Sequence, residues 1–211
     1  METGIYGPCG AYLPRVMALL AEPIEACNEE RRKRFGEGAY EHFLCRIKSE
    51  ESMREKCTRY GLPPTPESAL RVLHDAIGLR IVCHFVDDIY ELAAFLRGLD
   101  CVEVASEKDY IRRVKPNGYR SYHMVLRVHT PFADAEGNIP GWYYAEVQLR
   151  TIAMDSWAAL EHQVKYKKNI SGVNLELITA ELKRCADELA SCDLSMQTIR
   201  NLIREKSEET T

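Results

Sequence analysis

The chain has 211 residues, of which 45% are hydrophobic and 28% are charged, and its formal net charge is −4. These values are typical of a globular protein with one hydrophobic core, and the negative charge excludes a general polyanion binder, so any affinity for nucleotides must come from local basic segments. No apolar run reaches the roughly 20 residues of a membrane span, and the N-terminal sequence lacks the features of a signal peptide.

The sequence pattern predicts helices at both ends of the chain and a sheet between them. The predicted helices cover residues 11–34, 40–60, 67–75, 88–98, 152–168 and 174–206. The predicted strands cover residues 79–86, 100–105, 121–129 and 142–150. We therefore expect an α+β fold, with an N-terminal helical segment at 1–38, a central domain at 39–170 and a C-terminal helix at 171–211.

Eight cysteines are spread along the chain without a CxxC pair or a zinc-ligand spacing. This distribution predicts reduced thiols, several of them buried, and neither a disulfide framework nor a structural metal site.

The terminal helix carries apolar residues at spacings of three and four, which predict a continuous apolar stripe. Its members are Leu175, Ile178, Leu182, Cys185, Leu189, Cys192, Met196, Ile199 and Ile203. Such a stripe covers either the sheet or another subunit, and the sequence leaves both options open.

The strand at 142–150 has two different faces. One face is apolar and suits a core: Tyr143, Ala145, Val147 and Leu149. The opposite face carries Trp142, Tyr144, Glu146, Gln148 and Arg150. That polar face is either solvated or the floor of a site for phosphate groups and a metal ion.

Asp75 precedes a predicted strand, and Gly78 follows it before Arg80. Asp75 is either a turn residue that accepts a backbone N–H or an oxygen ligand for Mg²⁺ together with Glu146. Lys48, Ser52 and Lys56 share one face of the helix predicted at 40–60. That face is either solvated or a second source of positive charge.

The segment from 108 to 127 contains six basic residues and one acidic residue, a concentration that suits phosphate groups. Within it, the turn Pro116–Asn117–Gly118 places Tyr119 at a loop tip. The ring of Tyr119 either stacks on a nucleobase or packs on a neighbouring helix.

Several nucleotide-site motifs can be excluded. Neither a P-loop nor a G-x-G-x-x-G stretch occurs in the sequence. His42 and the pair His74–Asp75 superficially resemble the metal pattern of HD-type phosphohydrolases, but a strand follows where that pattern needs a helix. The adjacent acids of "VDDIY" (86–90) are more typical of a helix cap than of a metal-binding D-x-D.

Five stretches resemble the synthetase domain of the RelA/SpoT family, in that family's order: "RIKSEESMREK" (46–56), "DAIGLR" (75–80), "KDYI" (108–111), "KPNGYRSYH" (115–123) and "EVQLRT" (146–151), followed by "MDSWAALEHQVKYK" (154–167). The resemblance implies a mixed sheet flanked by helices, related to nucleotidyltransferases. It also implies the synthesis of (p)ppGpp, in which ATP donates its β,γ-pyrophosphate to the 3′-hydroxyl of GDP or GTP and AMP is released.

The same resemblance implies roles for individual residues. It assigns the ATP adenine to Arg46 and Arg80, the ATP phosphates to Lys48, Ser52 and Lys56, and Mg²⁺ to Asp75 and Glu146. Glu146 would also help to deprotonate the 3′-hydroxyl, and Tyr119 would stack on guanine. The remaining acceptor contacts would come from Lys115, Asn117, Arg120, His123, Gln148 and Arg150.

Two other functions share parts of this pattern. A non-catalytic module that binds single-stranded RNA would use the basic segment and Tyr119, but it has no need of two carboxylates. A terminal nucleotidyltransferase acting on RNA would more often place its acids in a D-x-D motif. The expected partners are ATP and GDP or GTP, with further copies of the chain in a homo-oligomer (a tetramer is one option), and the expected location is the cytoplasm.

Overall fold

The computed structural model describes residues 4–166 and 175–208 and contains five α-helices and five strands in that part of the chain, with a short 3₁₀ helix (Gly7–Tyr12) before the first α-helix and a π-helical turn (Ser68–Val72) after the second. The helices are α1 (Leu13–Phe35), α2 (Glu50–Arg59), α3 (Val86–Arg97), α4 (Ile152–Tyr166) and α5 (Leu175–Glu208). The strands are β1 (His42–Ile47), β2 (Ile77–Cys83), β3 (Val102–Asp109), β4 (Tyr122–Thr130) and β5 (Gly141–Thr151).

The strands form one mixed sheet in the order β1-β2-β5-β4-β3. β2 and β5 run parallel, whereas β1–β2, β5–β4 and β4–β3 are antiparallel pairs. Two register positions matter for the site, because Gly78 of β2 lies opposite Glu146 of β5 and His123 of β4 lies opposite Gln148. The prediction of a mixed sheet with helical extensions is confirmed.

The two faces of the sheet differ in burial. On β5, buried and half-buried residues alternate. Tyr144, Glu146 and Gln148 are half-buried, and the residues of the predicted apolar face are buried: Tyr143, Ala145, Val147 and Leu149. The core on the buried face continues into α1, whose Val16 and Leu20 are inaccessible to solvent. The opposite face therefore remains open for a site.

The prediction of one helix over residues 40–60 is wrong in its first half. Residues His42–Ile47 form β1, which pairs antiparallel with β2 at the edge of the sheet. The helix α2 begins only at Glu50, because the side chain of Ser49 accepts a hydrogen bond from the Ser52 amide at 3.3 Å and caps it. Lys48 consequently precedes the helix and does not share a helical face with Lys56.

Other elements are confirmed with shifted ends. The predicted helix at 67–75 is a short π-helical turn, Ser68–Val72, and the strand expected to start at 79 starts at Ile77. α1, predicted at 11–34, ends at Phe35, and the next residue, Gly36, has the left-handed φ of 76° that favours glycine at this position. The predicted helix ends at 168 and 174, and the domain boundary at 170/171, lie outside the described residues.

Helix α5 packs against α3 and α4, and its contacting face is shifted from the predicted apolar stripe. The buried positions are Ala186, Gln197 and Arg200, whereas Met196 and Ile199 are exposed. Polar residues are tolerated in this interface because each has a partner; Arg200, for example, donates at 3.0 Å to Asp88 of α3.

All eight cysteines lie in the described part of the chain as free thiols, and Cys9, Cys57 and Cys83 are buried, as predicted. Among the described helices, none combines the length and the apolar character that crossing a bilayer requires.

Candidate active site

Two carboxylates meet on the open face of the sheet. Asp75 lies two residues before β2, and Glu146 lies on β5 beside Gly78. Asp75 is therefore three residues from Gly78, the register partner of Glu146. The fold thus brings together the acids that the sequence suggests as a pair.

Asp75 is held by two lysines. The ammonium groups of Lys48 and Lys56 both lie 2.7 Å from its Oδ2, while its Oδ1 is buried and has no hydrogen-bond partner. Burial alone would raise the pKa of Asp75, but the hydrogen bonds and charges of the two lysines outweigh burial and hold it below its usual value. The carboxylate is therefore ionised and has one oxygen available.

This arrangement fits a divalent cation bound together with a nucleotide. Mg²⁺ in such sites takes one or two carboxylates from the protein and further oxygens from phosphates and water. Asp75 Oδ1 and the Glu146 carboxylate supply these two groups, and no set of three or more metal-ligating side chains occurs among residues 4–166 and 175–208. The donor set suits Mg²⁺ and lacks the nitrogen and sulfur ligands typical of zinc.

Glu146 belongs to a closed ring of five side chains. Its Oε1 lies 3.6 Å from His123 Nδ1, and His123 Nε2 lies 2.9 Å from the Tyr119 hydroxyl. Arg150 donates to the same hydroxyl at 2.8 Å and to Gln148 Oε1 at 3.1 Å, and Gln148 donates back to Glu146 at 3.3 Å. The ring links the acidic residue directly to the loop that carries Tyr119.

The ring also determines the charge of Glu146. The contact with His123, at 3.6 Å, holds the pKa of Glu146 below its usual value, against the opposing effects of burial and of the Asp75 charge. Glu146 is therefore ionised at neutral pH and can accept a hydrogen bond from a hydroxyl group.

Asp155, which sequence reasoning did not select, connects this ring to a second basic residue. It lies in the first turn of α4 and accepts from Arg150 at 2.9 Å, while Arg80 lies 3.6 Å from the same oxygen. Its position within the "MDSW" stretch is the one signal in the sequence that could have identified it. Asp155 orients two arginines that would otherwise repel each other.

A cleft of about 130 Å³ opens next to Glu146. Its lining includes Arg46, Gly78, Arg80, Glu146 and Gln148. Arg46 lies opposite Gly78 in the β1–β2 register, and Arg80 lies two residues further along the same face. Because Gly78 has no side chain, the floor between the two guanidinium groups stays open.

The turn Pro116–Asn117–Gly118 forms as predicted, with Gly118 at a φ of 90° and its amide donating to the Lys115 carbonyl at 2.8 Å. The next residue, Tyr119, is half-buried and packs at 6.3 Å from the Trp157 ring of α4. The exposed Lys115 places its ammonium group 4.7 Å from the Tyr119 ring centroid. A flat ligand on this ring would have to take the place of the lysine.

Comparison with known proteins adds to this geometry. Residues 45–171 match the sequence pattern described as "Region found in RelA / SpoT proteins". The chain belongs to the RelA/SpoT family. It is 38% identical over 165 residues to the GTP pyrophosphokinase YwaC of Bacillus subtilis, a match that covers 78% of this chain and 76% of YwaC.

Two further relatives agree with this assignment. The GTP pyrophosphokinase YjbM of Bacillus subtilis is 34% identical over 160 residues, with 76% of this chain and 72% of YjbM covered. The crystal structure of small alarmone synthetase 1 from Bacillus subtilis bound to its product pppGpp superposes with a TM-score of 0.76 at 30% identity, covering 92% of this chain and 95% of that one.

Not all residues suggested by the family resemblance join the cluster. Arg120 turns its guanidinium to α5, where it donates to Ala186 O at 3.1 Å and to Asp187 at 2.8 Å. Ser52 is exposed and its contacts are those of a helix cap. Arg127 of the basic segment stacks on Trp142 at 4.0 Å, so the positive charges of that segment do not form one continuous patch.

The competing metal motifs are not assembled into sites. His74 stacks on Tyr144 at 4.1 Å and lies 2.9 Å from the Arg71 carbonyl, as a packing residue does. Asp88 of "VDDIY" accepts from the Phe85 amide at 3.1 Å and caps α3, as predicted.

Proposed function

We propose that this chain is a Mg²⁺-dependent (p)ppGpp synthetase that transfers the β,γ-pyrophosphate of ATP to the 3′-hydroxyl of GDP or GTP. A bond forms between the 3′-oxygen and the β-phosphorus, the bond from that phosphorus to the α,β-bridging oxygen breaks, and AMP leaves. The observation that carries this proposal is the pair Asp75 and Glu146 on the open sheet face of a RelA/SpoT family member, between a cleft with two arginines and an aromatic loop.

The cleft beside Glu146 is the proposed donor site. Arg46 and Arg80 have flat, weakly hydrated guanidinium groups, which stack well on the two faces of an adenine ring. Lys48 directly follows β1, the strand that carries Arg46, and together with Lys56 it holds Asp75. When ATP binds, its phosphates offer these ammonium groups new anionic partners, so the lysines would be shared between Asp75 and the nucleotide.

The loop at residues 115–120, which we call the acceptor loop, is the proposed site of the guanine nucleotide. Guanine stacks on the exposed side of the Tyr119 ring after Lys115 moves aside. His123, Gln148 and Arg150 then surround the ribose and the transferred phosphates, because their ring of hydrogen bonds connects Tyr119 to Glu146. Asn117 contributes indirectly, since it donates to Glu161 of α4 at 3.1 Å and fixes the turn.

Pyrophosphoryl transfer depends mainly on in-line positioning and on neutralising charge. Glu146 is ionised, so it can orient the 3′-hydroxyl and take up its proton as the new bond forms; such a base typically contributes about 10²–10⁴-fold to the rate. When bound by Asp75 and Glu146, Mg²⁺ would supply charge neutralisation on the phosphates.

The test is an assay of purified chain with ATP, Mg²⁺ and either GDP or GTP, with the products separated by anion-exchange chromatography. We expect AMP and a guanosine nucleotide carrying a 3′-pyrophosphate in equal amounts. AMP without the second product would indicate hydrolysis and would contradict the transfer.

The other expected partners remain proposals. The exposed apolar residues Leu194, Met196 and Ile199 of α5 favour a homo-oligomer, with a tetramer as one form, which light scattering would test.

The eight free thiols and the nucleotide substrates favour a cytoplasmic location. Because the positive charges of residues 108–127 do not form one patch, single-stranded RNA is a less favoured partner. Salt-dependent binding of an RNA oligonucleotide would support RNA as a partner.

A further inference from the structure

We propose that Arg120 is a positioning residue that fastens the acceptor loop to helix α5, which makes α5 the back wall of the acceptor site. The identity of the acceptor rests on the proposed function, whereas the fastening itself rests on contacts in the ligand-free chain. Arg120 would then act on the guanine nucleotide only through its neighbour Tyr119.

The hydrogen bonds of Arg120 go to its own loop and to α5, and not to Asp75 or Glu146. Its Nη1 donates at 3.1 Å both to the Gly118 carbonyl and to the Ala186 carbonyl, and its Nη2 donates at 2.8 Å to Asp187. The side chain is only 15% exposed. One guanidinium therefore joins the acceptor loop to two residues of α5, through a planar fork that lysine cannot reproduce.

The backbone of the loop presses on the same part of α5. A Cβ added at Gly118 would lie 2.6 Å from the Cβ of Ala186 and 3.0 Å from the Cα of Lys183. Such distances are shorter than real contacts, so the turn touches the helix without an intervening side chain. The left-handed φ of 90° at Gly118 adds a second reason for glycine at this position.

Tyr119 stands between these two attachment points and faces the other way, into the site. Its hydroxyl is held by His123 and Arg150 in the ring that includes Glu146. Behind it, Trp157 donates its indole N–H to the Leu182 carbonyl of α5 at 2.9 Å. A displacement of α5 would therefore move the stacking platform relative to Glu146, whereas Arg46 and Arg80 of the donor cleft lie on β1 and β2.

A direct role of Arg120 on acceptor phosphates would require the guanidinium to leave three acceptors and turn around. The two roles make different predictions. A ligand of the γ-phosphate distinguishes GTP from GDP, and a ligand of any acceptor phosphate acts independently of Asp187. A positioning residue affects both acceptors equally and depends on Asp187.

The test is a double-mutant cycle with Arg120→Ala, Asp187→Ala and the double variant, read as KM for each substrate. We expect Arg120→Ala to raise KM for GDP and for GTP alike by about tenfold, as for the loss of a hydrogen-bonded charged contact, with KM for ATP unchanged. Asp187→Ala has a smaller effect in the same direction and adds little to Arg120→Ala. Glu188→Ala is the matched control, because the neighbouring Glu188 pairs with Arg184 on the outer side of α5. It is expected to leave the KM values for GDP, GTP and ATP unchanged.

Arg120→Lys retains the charge and is expected to recover part of the acceptor affinity. Additive effects in the cycle, or a change in the GTP-to-GDP ratio of KM values, would overturn the positioning role and assign Arg120 to the phosphates.

A second readout needs no activity. Hydrogen–deuterium exchange reports on the Gly118 and Tyr119 amides, which donate to the Lys115 carbonyl and to the Asn117 side chain. Exchange should be faster in the Arg120→Ala and Asp187→Ala proteins than in the wild type and the Glu188→Ala protein. Equal exchange would overturn the fastening even in an active synthetase, whereas a wild type that makes no AMP would refute only the proposed function.

Discussion

The clearest energetic prediction concerns Asp75, whose carboxylate holds two ammonium groups. The change Asp75→Asn keeps the size of the side chain and removes its charge, which leaves Lys48 and Lys56 facing each other without an anion. Breaking a fully buried ion pair costs about 3–5 kcal/mol. The three side chains keep exposures of 15%, 17% and 22%, so water screens part of this loss and we expect the free energy of unfolding at pH 7 to fall by about 2 kcal/mol.

The effect must depend on pH in a defined direction. The pKa of Asp75 is lowered in the folded state relative to its ordinary value of 3.8. A carboxyl group with a lowered pKa stabilises the fold above its unfolded pKa, and this contribution is lost as the pH falls through the folded pKa. The difference between wild type and Asp75→Asn should therefore be largest near neutral pH and shrink as the pH falls from about 5 towards 2.

Urea denaturation of both proteins across this pH range measures the effect. The control is the same substitution in a Lys48→Met, Lys56→Met background, in which Asp75 would be a poorly solvated carboxylate without cationic partners. There Asp75→Asn should be neutral or stabilising, because it removes an uncompensated charge. The same cost in both backgrounds, or a cost that does not vary with pH, would refute the role of the lysines.

Two further substitutions test the chemistry and the donor cleft. Glu146→Gln should lower kcat at least about 100-fold while GDP binding by calorimetry persists; unchanged turnover would remove Glu146 from the mechanism. Gly78→Val would place a side chain on the floor of the cleft, where even a Cβ lies 3.7 Å from Arg46, and should raise KM for ATP about tenfold or more, the equivalent of roughly 1.4 kcal/mol. Because valine favours strands, the melting temperature of that variant should not fall, and an unchanged KM for ATP in the stable variant would mean that the cleft is not the donor site.

Sequence reasoning selected Asp75 and Glu146 as the candidate carboxylates for a physical reason. Successive side chains of β5 point to opposite faces of the sheet, so the alternating sequence separates a core face from a polar face. Glu146 therefore lies on the face opposite to the one that carries Tyr143 and Leu149. Asp75 precedes the neighbouring strand of a parallel pair, which brings it to the same region. Local patterns sufficed here because both residues depend on strand direction and register alone.

The stretch at β1 shows where local patterns fail. "EHFLCRIKSEESMREK" is compatible with a helix throughout, and what makes residues 42–47 a strand is their pairing with β2, 30 to 40 residues away in the chain. A single sequence carries no record of that pairing, so the tertiary contact overrides the helical pattern. The cap at Ser49 was the available local sign of a helix beginning later.

Side-chain direction was the second limit. The family resemblance assigns both Arg120 and Arg150 to the acceptor, yet one donates to α5 and the other to the Tyr119 hydroxyl. Asp155 was overlooked because an acid in the first turn of a helix is common and needs no function. Only the folded chain shows that its carboxylate joins Arg80 to Arg150.

The most direct test of the central claim is the reaction of the purified chain with ATP labelled at the β-phosphate, Mg²⁺ and GDP or GTP. The account predicts that the label appears on the 3′-position of the guanosine nucleotide while AMP accumulates in equal amount, and that Glu146→Gln abolishes most of both. Label recovered only in ADP or in free pyrophosphate, with no 3′-pyrophosphorylated guanosine nucleotide from either acceptor, would contradict it.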